Sequence, residues 1–351
     1  MHTFELAMSS AIEHIRDLEC RREHFASIVR RKKGALSFKG SPVFSMIEPR
    51  PLSGSVAGVD GGLLVRSLHG MDLLLCKAVG VIFKYSAGCL QDADYFPSPF
   101  PMAQPKILSR PLSEHDSELS AGIYRQLTEV SLARQICEKL EPSLMIMHGS
   151  VLPHGSSRPA PDSDACDAYL ELISEYKRLY RVCAQKSIPL VGVVEDTRGS
   201  RFSEILAGLL GDSADNEVLS MTRDTHLLSY VLDQGERTVS FPFAEKPKEH
   251  PILRELGEWS ELVHAFYMRT APLDRPLRVD FINNGNAGDI AGLLFPLCVS
   301  NQVYGMPSVI IEADARARLS GSEIDLVYNR FLDKAGPLQS LQRLRRDSRP
   351  F

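Results

Sequence analysis

The stretch Gly58-Val59-Asp60-Gly61-Gly62, followed by Leu63-Leu64-Val65, decides the fold that we predict from this sequence. We expect a short β-strand that ends in an acid, with glycines on both sides that let a ligand approach the backbone closely. A carboxylate placed there supplies the hard oxygen ligand that magnesium and manganese prefer. Asp-Gly is also a common turn pair, so these residues alone fit a turn as well as a metal or phosphate site.

The bulk composition is that of an ordinary globular chain and excludes several classes of protein. The 351 residues are 44% apolar and 24% charged, which allows a substantial buried core. The net charge of -4 gives no global basic field, so any nucleic-acid surface must be local. The seven cysteines form no Cys-x-x-Cys pair, which argues against structural zinc and predicts reduced thiols in a cytoplasmic protein. No apolar run is long enough to cross a bilayer.

Residues 1–33 are predicted to form an N-terminal helix, because no Pro or Gly occurs before Gly34. The first 22 residues are too charged for a secretory signal peptide. The basic end, Arg30 to Lys33, either complements the helix dipole or contacts a phosphate backbone. One apolar face either docks a partner or packs within the molecule, and its members are Leu6, Ile12, Ile15 and Leu18.

The rest of the chain predicts strands followed by alternating strands and helices. The predicted strands cover 56–60, 61–69, 71–85, 144–147, 189–194, 261–269, 278–282 and 308–311. The predicted helices cover 114–140, 165–186, 225–232, 287–300 and 324–332, the last behind a capping box of Ser320 and Glu323. The proline-rich stretch 96–111 is predicted to be an exposed loop. This order indicates an α/β fold with a mixed sheet flanked by helices.

Candidate ligands follow three predicted strands, at Asp60, His148 and Asp314, and a fourth, Glu129, lies on the helix before the His148 strand. Strand ends are where α/β sheets place their ligands. Carboxylates there hold divalent ions that orient a water and neutralise charge during phosphodiester hydrolysis. A histidine completes the coordination or transfers a proton. Each residue taken singly also fits a structural role as a turn residue, a cap or a solvated acid.

The joint order and spacing of these motifs resemble the NurA nuclease family over residues 50–335. The resemblance is carried by Val59-Asp60-Gly61, Arg125-x-x-x-Glu129-x-x-x-Ala133, Leu144 to Met147 with Gly149-Ser150-Val151-Leu152, Gly192 to Arg198, and Gly305 to Ala313. It implies an RNase H-like core and a manganese-dependent, or magnesium-dependent, DNA nuclease. It further implies a role in DNA end resection and repair, a homodimer, and a HerA-type hexameric ATPase as partner.

The resemblance also implies a division of the chain and a set of site residues. The predicted segments are an N-terminal helical segment (1–45), a NurA-like nuclease domain (46–338) and a basic C-terminal tail (339–351). Asp60 and Glu129 match two metal-binding acids of the family. The family usually has Asp-Gly-Ser where this chain has His148-Gly149-Ser150, and Ala-His where it has Ala313-Asp314.

These two departures are reciprocal, and they leave two interpretations open. A compensated exchange keeps one imidazole and one carboxylate near the metal, whereas two independent losses give an inactive nuclease. A bridging carboxylate contacts two ions and an imidazole nitrogen binds one. The exchange therefore favours a single-ion site, or manganese over magnesium.

The expected function is a metal-dependent DNA nuclease, with Asp60, Glu129, His148 and Asp314 as both the catalytic and the metal-binding set. Glu195 stands where the family often has a lysine useful for a phosphate. Arg198 and Arg201 are therefore the candidates for DNA binding, and Tyr230 and Tyr267 are the candidates for the family's active-site tyrosine. The alternatives are a catalytically inactive adaptor that docks on the ATPase, and another RNase H-like hydrolase, for example one that acts on RNA.

Overall fold

The computed structural model describes residues 2–109, 112–211, 214–282, 286–336 and 338–345. The helices are α1 (His2–Lys32), α2 (Glu114–Leu140), α3 (Cys166–Gln185), α4 (Arg201–Leu210), α5 (Asn216–Ser220), α6 (Asp224–Val231), α7 (Ala287–Cys298), α8 (Ser308–Ala317) and α9 (Gly321–Ala335). The strands are β1 (Ser37–Phe38), β2 (Ser41–Pro42), β3 (Phe44–Met46), β4 (Gly54–Ser67), β5 (Asp72–Ser86), β6 (Cys89–Phe96), β7 (Gln104–Leu108), β8 (Leu144–His148), β9 (Leu190–Val194), β10 (Glu236–Thr238), β11 (Phe241–Pro242), β12 (Val263–Met268) and β13 (Leu277–Ile282).

The chain forms two compact units, each built from separate stretches of sequence. The first unit contains the residues up to Pro51 together with 193–245 and 263–307. The second unit contains 52–192, 246–262 and the residues from Ser308 onward. The predicted segments 1–45, 46–338 and 339–351 stay predictions, and residues 346–351 of the predicted tail lie outside the described residues.

In the first unit, the strands predicted at 261–269 and 278–282 are present as β12 and β13, and they form an antiparallel pair from Val263↔Ile282 to Met268↔Leu277. Strand β10 pairs with β12 and also with β3. The core of this unit includes the C-terminal half of α1, where Phe25 is buried. The N-terminal half of the same helix exposes Leu6, Ile12 and Ile15.

The second unit is built on a long hairpin of β4 and β5. The two strands pair without interruption from Gly54↔Tyr85 to Ser67↔Asp72. The prediction of two strands, 56–60 and 61–69, was therefore wrong. Because β5 lies opposite β4 along its whole length, the ladder of hydrogen bonds keeps the chain extended through Asp60-Gly61-Gly62.

Parallel and antiparallel pairing meet at β4. Strand β6 pairs antiparallel with β5, and β8 pairs parallel with β4 from Val56↔Leu144 to Val59↔Met147. Residues 190–192 of β9 continue the sheet beside β8, so that the order is β6, β5, β4, β8, β9. This mixed sheet flanked by helices, in a chain with an N-terminal helix, confirms the predicted RNase H-like α/β fold.

Two helices of the second unit cover opposite faces of β4, and glycines set how closely they approach. A Cβ on Gly61 would lie 2.6 Å from the Oε1 atom of Glu129 on α2. A Cβ on Gly62 would lie 2.0 Å from the backbone oxygen of Ala317 on α8. Because successive residues of a strand point to opposite faces, α2 lies on one face of the sheet and α8 on the other.

Two predicted elements of the second unit were wrong. Residues 308–311 were predicted as the last strand and instead begin the helix α8, whose buried residues are Val309, Ile310, Ala313 and Ala317. A short apolar run fits a strand or a buried helix equally well, and only the helical spacing of the later alanines separates the two. The predicted loop 96–111 contains β7, which pairs with β5 alone and tolerates its proline as an edge strand does.

Candidate active site

Asp60 lies within β4, at the point where the parallel pairing with β8 stops. The last pair is Val59↔Met147, and Asp60 is only 4% exposed. Its Oδ1 atom accepts a hydrogen bond from the backbone N–H of Gly61 at 2.8 Å. Asp60 was predicted to end a strand, and this was wrong for β4 itself. The parallel pairing with β8 stops at Val59, one residue before Asp60.

His148 is the last residue of β8, as predicted. Its Nδ1 atom lies 3.1 Å from Oδ1 of Asp60, and its side chain is 24% exposed. The pair is an ion pair when the imidazole is protonated and a hydrogen bond when Nδ1 alone carries the proton. Asp60 and His148 therefore lie next to each other at the point where the parallel pairing of β4 and β8 ends.

Glu129 extends from α2 toward β4. It is more deeply buried than we expect for a residue at the border of an apolar helix face. It is 5% exposed and packs on Gly61, the neighbour of Asp60. The Nε atom of Arg125, one helical turn earlier, lies 3.0 Å from Oε1 of Glu129. This Oε1 is buried and has no hydrogen-bond partner in the described part of the chain, so the guanidinium gives charge compensation without hydrogen-bond geometry.

The pKa of Glu129 reflects this environment. Burial raises it to about 8, against the lowering effect of the Arg125 charge. The nearby charge of Asp60 raises the pKa further, and that of His148 lowers it. The carboxyl group therefore lies within the electrostatic reach of both residues, and a cation bound beside it would stabilise its charged form.

Asp314 is not at a strand end, because it lies on the helix α8. Its side chain is 49% exposed and forms an ion pair with Arg318 at 3.7 Å. Helix α8 covers the face of β4 that carries Gly58, Asp60 and Gly62. The described contacts therefore join Asp60 to His148, place Glu129 within electrostatic reach of both, and leave Asp314 on α8 without a described contact to any of the three.

The donor types of this cluster fit a divalent metal ion, because two carboxylates and an imidazole are ligands that manganese accepts. The buried Oε1 of Glu129, which lacks a hydrogen-bond partner, is the atom that a cation would satisfy. In this structure Glu129 forms an ion pair with Arg125, and Asp60 contacts His148. Within the described residues no three His, Cys, Asp or Glu side chains are arranged as a metal site.

A cavity of about 260 Å³ opens beside the cluster, lined by Glu129, His148, Arg125, His154 and Ser150 among others. The loop that forms its outer wall is fastened to α2, because Gln126 Oε1 accepts from the backbone N–H of His154 at 2.9 Å. His154 is a cavity residue that no sequence pattern indicated. Arg125 was quoted in the family motif without a role, and its i,i+4 spacing to Glu129 was the signal for it.

The predicted DNA-binding arginines lie in the first unit and differ in their surroundings. Arg198 lines an open cavity of about 730 Å³ together with Arg223 and Arg275. Arg201 lies at the start of α4 and pairs with Glu204 and Glu245.

The two tyrosine candidates also lie in the first unit. Tyr267 is fully buried and donates a hydrogen bond to Asp224, which is a structural role. Tyr230 lines the cavity of Arg198 and donates a hydrogen bond to Glu19.

The NurA domain family model matches residues 54–319. The chain belongs to the NurA family. Its fold resembles the NurA nuclease from Sulfolobus solfataricus, with 14% identity, a TM-score of 0.61 and coverage of 93% of this chain and 98% of that one. It also resembles a NurA bound to dAMP and manganese, with 12% identity, a TM-score of 0.60 and coverage of 96% and 99%.

At these identities the structural likeness shows the fold that NurA proteins share. None of the curated proteins matches this NurA chain. Among the described residues, no helix combines the length and the apolar character that crossing a membrane requires.

Proposed function

We propose that this NurA chain is a metal-dependent nuclease that hydrolyses DNA phosphodiesters, with manganese as its preferred ion and magnesium as the second. One observation carries the proposal. A buried carboxylate oxygen of Glu129, without a hydrogen-bond partner in the described chain, lies within electrostatic reach of the Asp60–His148 pair at the carboxyl end of β8. Family membership supports the same activity, and manganese and dAMP are the ligands of a NurA structure of the same fold.

Asp60, Glu129 and His148 would hold the ion, and Asp314 on α8 would complete the set. The ion would supply a Lewis acid that lowers the pKa of a water and neutralises charge on the phosphate. In the proposal, Glu129 exchanges its ion pair with Arg125 for the cation. Arg125, whose side chain is 46% exposed, is then free to contact a phosphate in the adjoining cavity.

Asp60 orients His148 through the contact of its Oδ1 with Nδ1. In the proposal, the imidazole would use its other nitrogen, Nε2, for coordination or proton transfer. This arrangement favours the compensated exchange over decay of the site, because the imidazole at position 148 is held in place by an acid that the family shares.

Arg198 and Arg201 are proposed to contact the DNA backbone. Arg198 is supported by its place in a cavity that is also lined by Arg223 and Arg275, the second of which pairs with Asp196. Arg201 is less favoured, because Glu204 and Glu245 compensate its charge. Since the net charge is -4, these local charges must hold the strand, and binding should weaken steeply with added salt.

The partner and the cellular role are proposed from the family resemblance. We infer a cytoplasmic homodimer that acts with a HerA-type hexameric ATPase in DNA end resection and repair. The exposed apolar side chains of the N-terminal half of α1 support a docking role for this helix, and they are Phe4, Leu6, Met8, Ile12 and Ile15.

The test is cleavage of labelled single- and double-stranded DNA by the purified chain, with manganese, with magnesium or with EDTA. We expect cleavage with manganese that EDTA abolishes, and loss of cleavage in Asp60→Asn with the fold intact by circular dichroism. An RNA strand of the same sequence tests the third alternative. Cleavage that persists in Asp60→Asn would show that another site, or a contaminant, is responsible.

One observation favours the second candidate, a catalytically inactive adaptor that docks on the ATPase. Asp314 is engaged with Arg318 and is not joined to the other three residues by any described contact. The double variant His148→Asp with Asp314→His separates the possibilities. Cleavage gained only in this variant would indicate a decayed nuclease. Stimulation of the ATPase without cleavage by either protein would indicate the adaptor.

A further inference from the structure

The loop between β6 and β7 presents two large apolar side chains to solvent. Phe100 is 81% exposed and Met102 is 78% exposed. Prolines at positions 99 and 101 alternate with them and restrict the backbone. Single exposed apolar residues are common, but an aromatic ring that is exposed on a stiff segment is a typical contact surface.

This loop is fastened to α8 by Arg316. The Nη1 atom of Arg316 donates to the backbone oxygen of Pro99 at 3.2 Å. The same guanidinium lies 4.8 Å from the ring centroid of Phe100 and 4.5 Å from that of Tyr95. Arg316 is in turn fixed by Glu312, to which Nε donates at 2.8 Å. The Phe100 ring therefore has a cation near it and is otherwise open to solvent.

The position of α8 connects this loop with the proposed active site. The helix lies over the face of β4 that carries Asp60, because Cβ atoms on Gly58 and Gly62 would clash with it. Arg316 follows Asp314 by two residues on the same helix. All of these residues belong to the second unit.

We propose that Phe100, flanked by Met102, is a stacking surface for a nucleobase of single-stranded DNA. The inference rests on the proposed nuclease function for its substrate and deepens it by naming the strand form that is bound. Aromatic side chains bind single strands by stacking on bases, with little dependence on sequence. A duplex keeps its base faces stacked internally, so this surface would favour a single strand or a frayed end.

The charges around the ring support a nucleic acid as the occupant. Arg316 adds a cation that a stacked base also contacts favourably. Arg318, the residue after α8, has a side chain that is 78% exposed and forms an ion pair with Asp314 at 3.7 Å. The guanidinium at the Phe100 ring is that of Arg316, which is exposed enough to contact a phosphate next to the stacked base. An apolar protein partner would instead have to cover these charges.

The experiment measures binding of the full chain to a fluorescent 20-nucleotide strand and to the matching blunt duplex by anisotropy, in EDTA so that no cleavage occurs. We expect Phe100→Ala to weaken single-strand binding about tenfold, the effect of losing one stacked base. Duplex binding should change by less than about twofold, and Phe100→Trp should restore the affinity for the single strand. Leu170→Ala is the matched control, because Leu170 is a 64% exposed residue of α3 in the same unit.

Two results would overturn the inference. One is single-strand affinity in Phe100→Ala equal to that of the Leu170→Ala control. The other is a change from dimer to monomer in light scattering, which would make the surface a contact between two copies of this chain. The outcome is separate from the proposed cleavage, because binding is measured in EDTA, where metal-dependent cleavage does not take place. Binding without cleavage would thus retain the stacking surface even if the nuclease proposal failed.

Discussion

Two buried glutamates of the second unit have nearly equal exposure and opposite surroundings. Glu175 on α3 is 4% exposed and Glu129 on α2 is 5% exposed. Glu175 accepts hydrogen bonds from Ser131 Oγ at 3.1 Å and Arg134 Nε at 2.5 Å. Glu129 has the ionic contact with Arg125 and a buried oxygen without a hydrogen bond from any described residue.

The two pKa values diverge accordingly. Burial raises the pKa of both carboxyl groups. In Glu175 the hydrogen bond and charge of Arg134 outweigh burial, so its pKa is lowered. In Glu129 burial prevails, and its pKa rises to about 8. Burial alone therefore does not decide the role of an acid. A carboxylate that the protein satisfies by itself stabilises the fold, and one that it leaves unsatisfied is available to a cation.

The largest expected effect is on DNA cleavage, which should depend on Glu129 and not on Glu175. Glu129→Gln should reduce manganese-dependent cleavage about 1000-fold, equivalent to about 4 kcal/mol, because a ligand of the ion is lost. Glu175→Gln should leave kcat within about threefold, since the residue lies outside the site. Single-turnover cleavage of labelled DNA measures both. Equal losses in the two variants would show that Glu129 acts through the fold.

The second-largest expected effect is on stability, where substitution of Glu175 should cost more than substitution of Glu129. Glu175→Gln should lower the free energy of unfolding by about 2–3 kcal/mol, because it leaves the guanidinium of Arg134 without its buried counterion. Glu129→Gln should change it by less than about 1 kcal/mol, because burial already keeps this carboxyl group mostly protonated at neutral pH and the substitution removes little charge. Urea unfolding in EDTA provides the comparison. A larger loss in Glu129→Gln would mean that the Arg125 ion pair stabilises the fold.

A third variant moves Glu129 without changing its chemistry. Gly61→Ala would place a Cβ 2.6 Å from Oε1 and 2.7 Å from Cγ of Glu129, so the flexible side chain must turn away. We expect cleavage to fall about tenfold to thirtyfold, with a stability loss of about 1 kcal/mol.

Gly208→Ala on α4 is the matched control for this variant, because no heavy atom lies within 4 Å of its added Cβ. It should raise helix stability by about 0.5–1 kcal/mol and leave cleavage unchanged. Wild-type cleavage in Gly61→Ala would show that the position of Glu129 does not matter.

The smallest effect is a pH dependence that belongs to Glu175. Its pKa is lower in the folded chain than its ordinary value of 4.5, so its stabilising contribution is complete above that value. The contribution is lost as the pH falls through the folded-state pKa, because the unfolded chain then binds more protons. The difference in unfolding free energy between wild type and Glu175→Gln should therefore shrink below about pH 4.5. A constant difference down to pH 3 would contradict this assignment.

Several features could be predicted because they depend on neighbours in sequence. The helix of residues 114–140 has the predicted bounds, since its apolar spacing and the Ser113 cap lie within a few residues of one another. The capping box of Ser320 and Glu323 is present at the start of α9. The strand ending at His148 was recognised from a short apolar run followed by Gly149.

The errors occurred where partners distant in sequence decide the structure. The sequence pattern of the apolar run at 308–311 fits a strand and a helix equally well. It forms a helix because α8 packs against Gly58 and Gly62 of β4. The stretch Asp60-Gly61-Gly62 remained a strand because β5 continues opposite it. His154 could not be found as a cavity residue, since its place depends on a hydrogen bond of its backbone to Gln126.

The sequence by itself determined the types of ligand and the periodic elements, because side-chain chemistry and local spacing are properties of short segments. It thereby identified Asp60, Glu129 and His148 as an acid, an acid and an imidazole near predicted strands. Only the tertiary structure decided that Asp60 and His148 are in contact, that Glu129 is buried with an oxygen that lacks a hydrogen bond from the described residues, and that Asp314 lies apart on α8. Strand register, burial and dielectric environment arise from packing between distant segments, so no local pattern specifies them.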